Sequence, residues 1–426
     1  MSDWSLAIDF GTCFTTAAVR VERSGTESGA QAGARSGVAS GVSSGVSSGV
    51  SSDGTGSAAA VEIENSRYLP SLVCLGDDGR LLTGRAAVQL AAQRPERAEH
   101  HPKRALLRQS AVLLDDREVD TVDLVAAVLA RVADEARAVC GGTDPARTVL
   151  THPADWSPAD LDRLVEAAGR AGLDAPELLP EPVAAARFHA ANAPAGDGAP
   201  IAVYDLGGGT VDTAVLRREA GGFRAVAVAG DPDFGGRDLD QALFELLRDR
   251  ALDLDPAPWQ RLQADRTPVG AHQRSQLSRE LTLAKESLSS TGTVYLAVPG
   301  YPEPFVVQGG EYRAAVTPAL TASVGLLERT VARAGLTPAE LGAVVLCGAA
   351  SRTPPVADLV AARLGRIPEL AADPKAAVAL GALTDPPAPP PPDGAAAGET
   401  GFEAAGPGRW AVAHYPAEVD PWFDYD

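Results

Sequence analysis

One short unit is written twice in this chain, and each copy dictates the same local backbone. "LAIDFGTCFTTAAV" runs from Leu6 to Val19, and "AVYDLGGGTVDTAVL" runs from Ala202 to Leu216. In both, an apolar strand ends on an acid, Asp9 or Asp205. The chain then passes through a tight turn of Gly and Thr and returns as a second strand. Such a unit is a β-hairpin. The glycine turns of dinucleotide folds and P-loops lead instead into a helix N-terminus, so both copies argue against those folds. Two copies far apart in 426 residues imply two similar α/β halves.

The turns also carry chemistry. Glycines let backbone amides approach phosphate oxygens, and successive N–H groups in a tight turn form an anion nest. Threonine hydroxyls add donors, and an acid at the strand end can hold the waters of a Mg²⁺ ion that binds phosphate. Two such turns closing on one ligand from opposite sides would make a nucleotide site.

The rest of the chain fits two halves. Ser24 to Ala59, with its "SGVSSGVSSGV" repeat, is low complexity and reads as an inserted loop. Strands resume in "AAAVEIEN", and "PSLVCLGDDGRLLTG" reads as a hairpin with Asp-Gly in its turn. From Gly84 the pattern turns helical, with Leu124, Val125, Val128, Leu129 and Val132 on one helix face. "RTVLTHPADW" reads as a strand, and "SPADLDRLVEAAGRAGL" as a helix capped by Ser157 with Pro158 first. The second half repeats this rhythm, including a long polar helix over about Ala271 to Ser289 and a buried strand in "LGAVVLCGAAS". The expected organisation is a first lobe over 1–195 with the 24–59 insertion, and a second over 196–384. A Pro-rich linker and acidic-aromatic tail expected to be disordered follow over 385–426.

The net charge of −19 and pI of about 4.8 disfavour nonspecific nucleic-acid and anionic-membrane binding. Cys13, Cys74, Cys140 and Cys347 are scattered without CxxC spacing, which points to a reducing compartment and against structural zinc. The N-terminus has no signal-peptide pattern, and no 18-residue apolar run exists. The protein is expected to be cytoplasmic, with no nucleic-acid or membrane partner. Lys103, Lys285 and Lys375 are its three lysines in an otherwise arginine-based set of cations, which marks places where a compact ammonium is wanted. His100 and His101 are expected in an exposed loop, and His152 and His189 in structural positions. Trp156 and Pro153 are assigned to turn packing.

At these motifs the chain resembles the actin-like ATPase superfamily and, within it, the nucleotide-binding domain of the heat-shock 70 kDa chaperones. "AIDFGTCFTTAAV" is similar to that family's first phosphate loop, and "VYDLGGGTVDTAVL" is nearly verbatim its second. "LPEPVAAARFH", "AGDPDFGGRDLDQAL" and "VVLCGAASRTPPV" resemble its glutamate-bearing helix start, its entry to the upper subdomain and its third nucleotide loop. The resemblance covers about residues 5 to 384. It implies an actin-like ATPase fold of two duplicated α/β lobes flanking a nucleotide cleft, with ATP or ADP and Mg²⁺ as cofactors. Asp9 and Asp205 would hold magnesium through water, and Gly11, Thr12 and Cys13 would meet the phosphates. Gly207, Gly208 and Gly209 would form the backbone cradle, with Thr210 as a γ-phosphate donor. Lys103, Glu181 and Asp212 would position the attacking water.

The adenosine side departs from the family. Lys285 and Ser289 stand where the family contacts ribose and base, and Arg352 matches one stacking arginine. Glu286 stands in place of the other and cannot stack. Gly348, Ala349 and Ala350 replace a Gly-Gly-Ser, which is expected to narrow the nucleoside space, and Lys375 replaces an acid. The family's interdomain linker and peptide-binding region are expected to have no counterpart in this chain. The resemblance therefore implies a slow Mg²⁺-dependent ATPase acting as a conformational switch without its own peptide-binding domain, reporting through a protein partner or the tail. A non-hydrolysing nucleotide-binding scaffold is the alternative. A small-molecule kinase of the superfamily would match only the phosphate loops.

Overall fold

The computed structural model describes residues 3–22, 58–192, 198–219, 222–288, 290–371 and 373–385. Most of the low-complexity insertion and nearly all of the C-terminal tail lie outside these residues. Strand β1 (Trp4–Phe10) turns back into antiparallel β2 (Phe14–Val21), with Asp9 opposite Thr16. Beyond the insertion, β3 (Ala59–Ala60) pairs with Val19 and Ala18 of β2, so the two ends of that segment lie side by side. Strand β4 (Leu69–Pro70) also joins β2. The expected Asp-Gly hairpin forms as β5 (Val73–Leu75) and β6 (Leu81–Leu82). Helix α1 (Gly84–Ala91), strand β7 (Ala98–Glu99) and helix α2 (Pro102–Arg108) follow.

The region read as helical from Gly84 contains a hairpin, β8 (Ala111–Leu114) with β9 (Arg117–Asp120). Asp115 sits in the left-handed region at φ 57°, a conformation aspartate tolerates in turns, and the acidic turn carried the missed signal. Helix α3 (Thr121–Val139) buries the apolar face predicted for it. Strand β10 (Arg147–His152) runs parallel to β1, and helix α4 (Pro158–Arg170) crosses to β11 (Glu177–Pro180), parallel to β10. Ser157 caps α4 as expected, its hydroxyl accepting from Asp160 N. Helix α5 (Glu181–Asn192) follows directly.

The second half is built on the same plan. Strand β12 (Ile201–Leu206) turns into antiparallel β13 (Val211–Glu219), with β14 (Gly222–Asp231) beyond. Helices α6 (Gly236–Leu254), α7 (Pro256–Ala264) and α8 (Pro268–Leu288) follow. Helix α7 is an addition to the sequence reading, begun by Asp255, whose side chain accepts from Ala257 N ahead of a first-turn proline. Strands β15 (Thr293–Leu296) and β16 (Phe305–Gln308) lead to α9 (Gly309–Arg333). Strand β17 (Ala343–Cys347) runs parallel to β12, and α10 (Pro354–Leu364) crosses to parallel β18 (Glu369–Leu370). Helix α11 (Ala377–Ala382) closes the fold.

The orders β11-β10-β1-β2 and β18-β17-β12-β13 correspond strand for strand. Asp9 pairs with Thr16 and Thr151, and Asp205 pairs with Asp212 and Cys347, so the two acids hold one place in two copies of a design. Each outer face has its own apolar core, and a third core lies between the sheets around α5 and α11. There the alanines of "PVAAARFH" and "AAVALGAL" replace larger side chains because the helix backbones nearly touch. A Cβ on Gly381 would collide with the Ala184 carbonyl. This close crossing fixes α5, and with it Glu181 at its first position.

Candidate functional site

The two hairpin turns meet in a cavity of about 280 Å³ between the halves. A Cβ on Gly208 would lie 2.5 Å from Cys13 Sγ, so the second turn rests directly on the first. A Cβ on Gly235 would stand 2.6 Å from the Gly209 backbone, although Gly235 has an ordinary extended φ. The "FGGRD" glycine there serves close approach. Gly236 N donates to Gly207 O at 2.9 Å and Arg237 N to Gly208 O at 2.8 Å, locking the start of α6 onto the turn. Asp238 completes the cap by accepting from Gly235 N at 2.7 Å.

Charged groups line the inner end. Lys103 Nζ lies 2.8 Å from Glu181 Oε1, with both side chains nearly buried, and it stands 5.4 Å from the Trp156 ring centre. Burial opposes the Lys103 charge, but Glu181, Asp9 and Asp212 outweigh it and hold the ammonium above the ordinary lysine value. Thr151 Oγ1 donates to Asp9 Oδ1 at 2.8 Å. Burial and the Glu181 charge push Asp9 up to about 7, against the pull of Lys103. Burial, Glu181 and Asp9 push Asp205 up to about 8. Burial and the neighbouring Asp155, Glu181 and Asp205 drive Asp212 well up. These acids are crowded and short of positive charge, which is the electrostatic profile of a site that receives a cation. Among the described residues, no three His, Cys, Asp or Glu side chains converge as a direct metal cage. The donor set therefore suits an ion that keeps its waters and takes phosphate ligands, the habit of Mg²⁺.

Asp9, Gly11, Thr12 and Cys13 line the cavity from the first turn, and Asp205, Gly207, Gly208, Thr210 and Asp212 from the second. Lys103, Glu181, Lys285, Gly348 and Ala349 complete the predicted residues that it brings together. Gly209 does not line it: the residue is buried behind the turn, its carbonyl accepting from Arg104 Nη2 at 2.5 Å. Arg352 is exposed outside the lining, where its charge acts on Tyr68. Ser289 lies outside the described residues. Ala349 lines the cavity, whereas the short 3₁₀ turn Ala349–Arg352 packs Ala350 into the core of the second half, behind the lining residue Gly236.

The cavity lining also holds two further ion pairs. Lys285 Nζ lies 2.8 Å from Asp240 Oδ1 and donates to Gly236 O at 2.9 Å. Lys375 Nζ lies 3.7 Å from Glu286 and close over the Phe14 and Tyr68 rings, 4.6 and 4.5 Å from their centres. His100 and His101 are not exposed loop residues. Burial pushes them down to about 4 and about 3, with Arg237 adding to the effect. His189 is structural, 3.2 Å from Glu369 on β18, and His152 hydrogen-bonds at its own turn. Phe14, Asp240 and Arg237 also line the cavity and had not been singled out. Asp240 could have been found as the last acid of the "GGRDLD" motif, whereas nothing in the sequence distinguishes Arg237 from other arginines.

The family model described as "Hsp70 protein" matches residues 107–385. The chain is 28% identical over 326 residues to the chaperone protein DnaK of Thermotoga petrophila, covering 75% of this chain and 53% of that one. It is 33% identical over 270 residues to the chaperone protein HscA of Pectobacterium carotovorum, covering 62% and 40%. It is 32% identical over 346 residues to an HscA homolog of Azotobacter vinelandii, covering 75% and 52%. The chain thus spans about half the length of the curated relatives it matches.

Proposed function

The chain belongs to the Hsp70 family, and on that premise we propose that it is an ATP-binding, Mg²⁺-dependent ATPase that acts as a nucleotide-driven conformational switch. The observation that carries this reading is the convergence of Lys103, Glu181, Asp205, Thr210 and Asp212 with both glycine turns on one cavity. The turn amides and the hydroxyls of Thr12 and Thr210 hold the phosphates. Mg²⁺, kept through water by Asp9 and Asp205, would neutralise charge on the triphosphate when bound. Lys103 and Glu181 orient the attacking water, and Asp212 lies within the same cluster. Phosphoryl transfer needs positioning and charge neutralisation more than covalent chemistry, and this set supplies both. The ligand proposed is an adenine nucleotide, and the protein is proposed to work in the cytoplasm. Readout of the nucleotide state by a protein partner is part of the proposal.

Hydrolysis of MgATP by purified protein, compared with a Lys103→Ala control, tests the reading. Equal rates for the two would end it. The non-hydrolysing scaffold remains the second reading because Glu286, which cannot stack on a base, lines the cavity paired with Lys375. Calorimetric ATP binding without turnover would favour that reading.

A further inference from the structure

Four cations line the cavity, and three of them carry an acid: Lys103 has Glu181, Lys285 has Asp240 and Lys375 has Glu286. The fourth, Arg237, forms no ion pair among the described residues, and its Nε is buried without a hydrogen-bond partner. A partly desolvated guanidinium without a counter-ion is costly unless something anionic arrives to meet it. Its backbone cannot drift, since Arg237 N is bonded to Gly208 O at 2.8 Å. Its side chain is aimed from the opposite half. Arg237 Nη1 donates to His101 Nε2 at 2.8 Å, and the other ring nitrogen of His101 lies 3.4 Å from Thr12 O. Arginine is only a donor, so Nε2 accepts and the proton sits on Nδ1, facing the Thr12 carbonyl. The first phosphate turn therefore orients, through one imidazole, a guanidinium anchored on the second.

We propose that Arg237 is a phosphate-contacting residue of this site, giving charge-assisted hydrogen bonds to the polyphosphate of a nucleoside di- or triphosphate, and that His101 is its positioning residue. The inference rests on the nucleotide-binding reading above and adds a contact that none of the motif-matched residues supplies. A guanidinium satisfies two phosphate oxygens at once in a fixed plane, which the neighbouring lysines, as point charges, do not.

The test is calorimetric titration of the full chain with MgATP, MgADP and adenosine, for wild type, Arg237→Gln, Arg237→Lys and His101→Gln. Arg237→Gln is expected to weaken ATP and ADP about tenfold or more while leaving adenosine within about twofold. Arg237→Lys is expected to recover part of the loss, because it restores the charge but not the planar fork. His101→Gln is expected to weaken the two phosphorylated ligands by a smaller factor. A mere latch between the halves would change all three ligands together in the Arg237 and His101 variants, and that outcome would overturn the proposal. Unchanged ATP affinity in Arg237→Gln beside a wild type that binds ATP overturns this inference alone. A wild type that binds none of the three ligands overturns the nucleotide reading with it.

Discussion

Lys103 and Glu181 form a 2.8 Å ion pair that joins the start of α2 to the first residue of α5 at the bottom of the cleft. Neither element is near the other in sequence, and the pair exists because α5 is pinned between the sheets by its alanine crossing with α11. Removing the ammonium leaves Glu181 buried among Asp9, Asp205 and Asp212. Lys103→Ala is expected to lower ATP hydrolysis at least about 100-fold. It is also expected to destabilise the fold by about 3–5 kcal/mol through the uncompensated acid. Glu181→Gln should reduce turnover with a much smaller loss of stability. Steady-state kinetics and denaturant melts check both, and equal stability losses would contradict the pairing argument.

The contact between the turns gives a steric prediction. Gly208→Ala places a methyl 2.5 Å from Cys13 Sγ and 2.9 Å from its Cβ, which should cost about 1–3 kcal/mol. Cys13→Gly in the same chain should return part of that cost, since it removes the atoms in the way. Gly235→Ala meets backbone of Gly209 at 2.6 Å and has no side chain to displace, so it should cost more and have no such rescue. Thermal melts of the three variants decide the order.

Asp205 gives a pH prediction. Its folded pKa of about 8 stands above the ordinary 3.8, so the native state holds a proton that the unfolded state has released. Its contribution to stability is therefore full at low pH and is lost as pH rises through that window. Asparagine imitates the protonated acid. Without nucleotide, Asp205→Asn should match wild type near pH 4 and exceed it by about 3–6 °C in Tm near pH 8. Its hydrolysis should meanwhile fall. The buried histidines act in the opposite direction but are common to both proteins. A Tm difference that stays constant across that range would refute the assignment.

The Lys375–Glu286 pair should be weak. Lys375 and Glu286 are separated by 3.7 Å, and the Glu286 side chain is 55% exposed. Glu286→Ala should change stability by less than about 1 kcal/mol. Any larger effect on ATP affinity measured by calorimetry would then report on the ligand rather than the fold.

Much of this molecule was legible in the sequence. The paired "DFGT" and "DLGGGT" units specify two hairpins by glycine, threonine and strand alternation, which are local properties and need no tertiary context. The acids Asp9 and Asp205, the α4 cap at Ser157 and the Asp-Gly hairpin after β5 follow for the same reason. Where local signals were faint, as in the β8–β9 hairpin and α7, the reading failed.

Tertiary structure decided what touches what. Asp9 and Asp205 are pushed toward neutrality because two sheets bury them beside Glu181, and burial is a property of the assembled halves. The position of Gly209 behind its turn, Ala350 in a core and His101 against Arg237 depends on helix approach across the cleft, which no run of neighbouring residues encodes. The sequence determined the duplicated hairpin turn through backbone rules that act over a few residues. Only the packed halves decided which charges face the ligand, because electrostatic partners are chosen by distance in space.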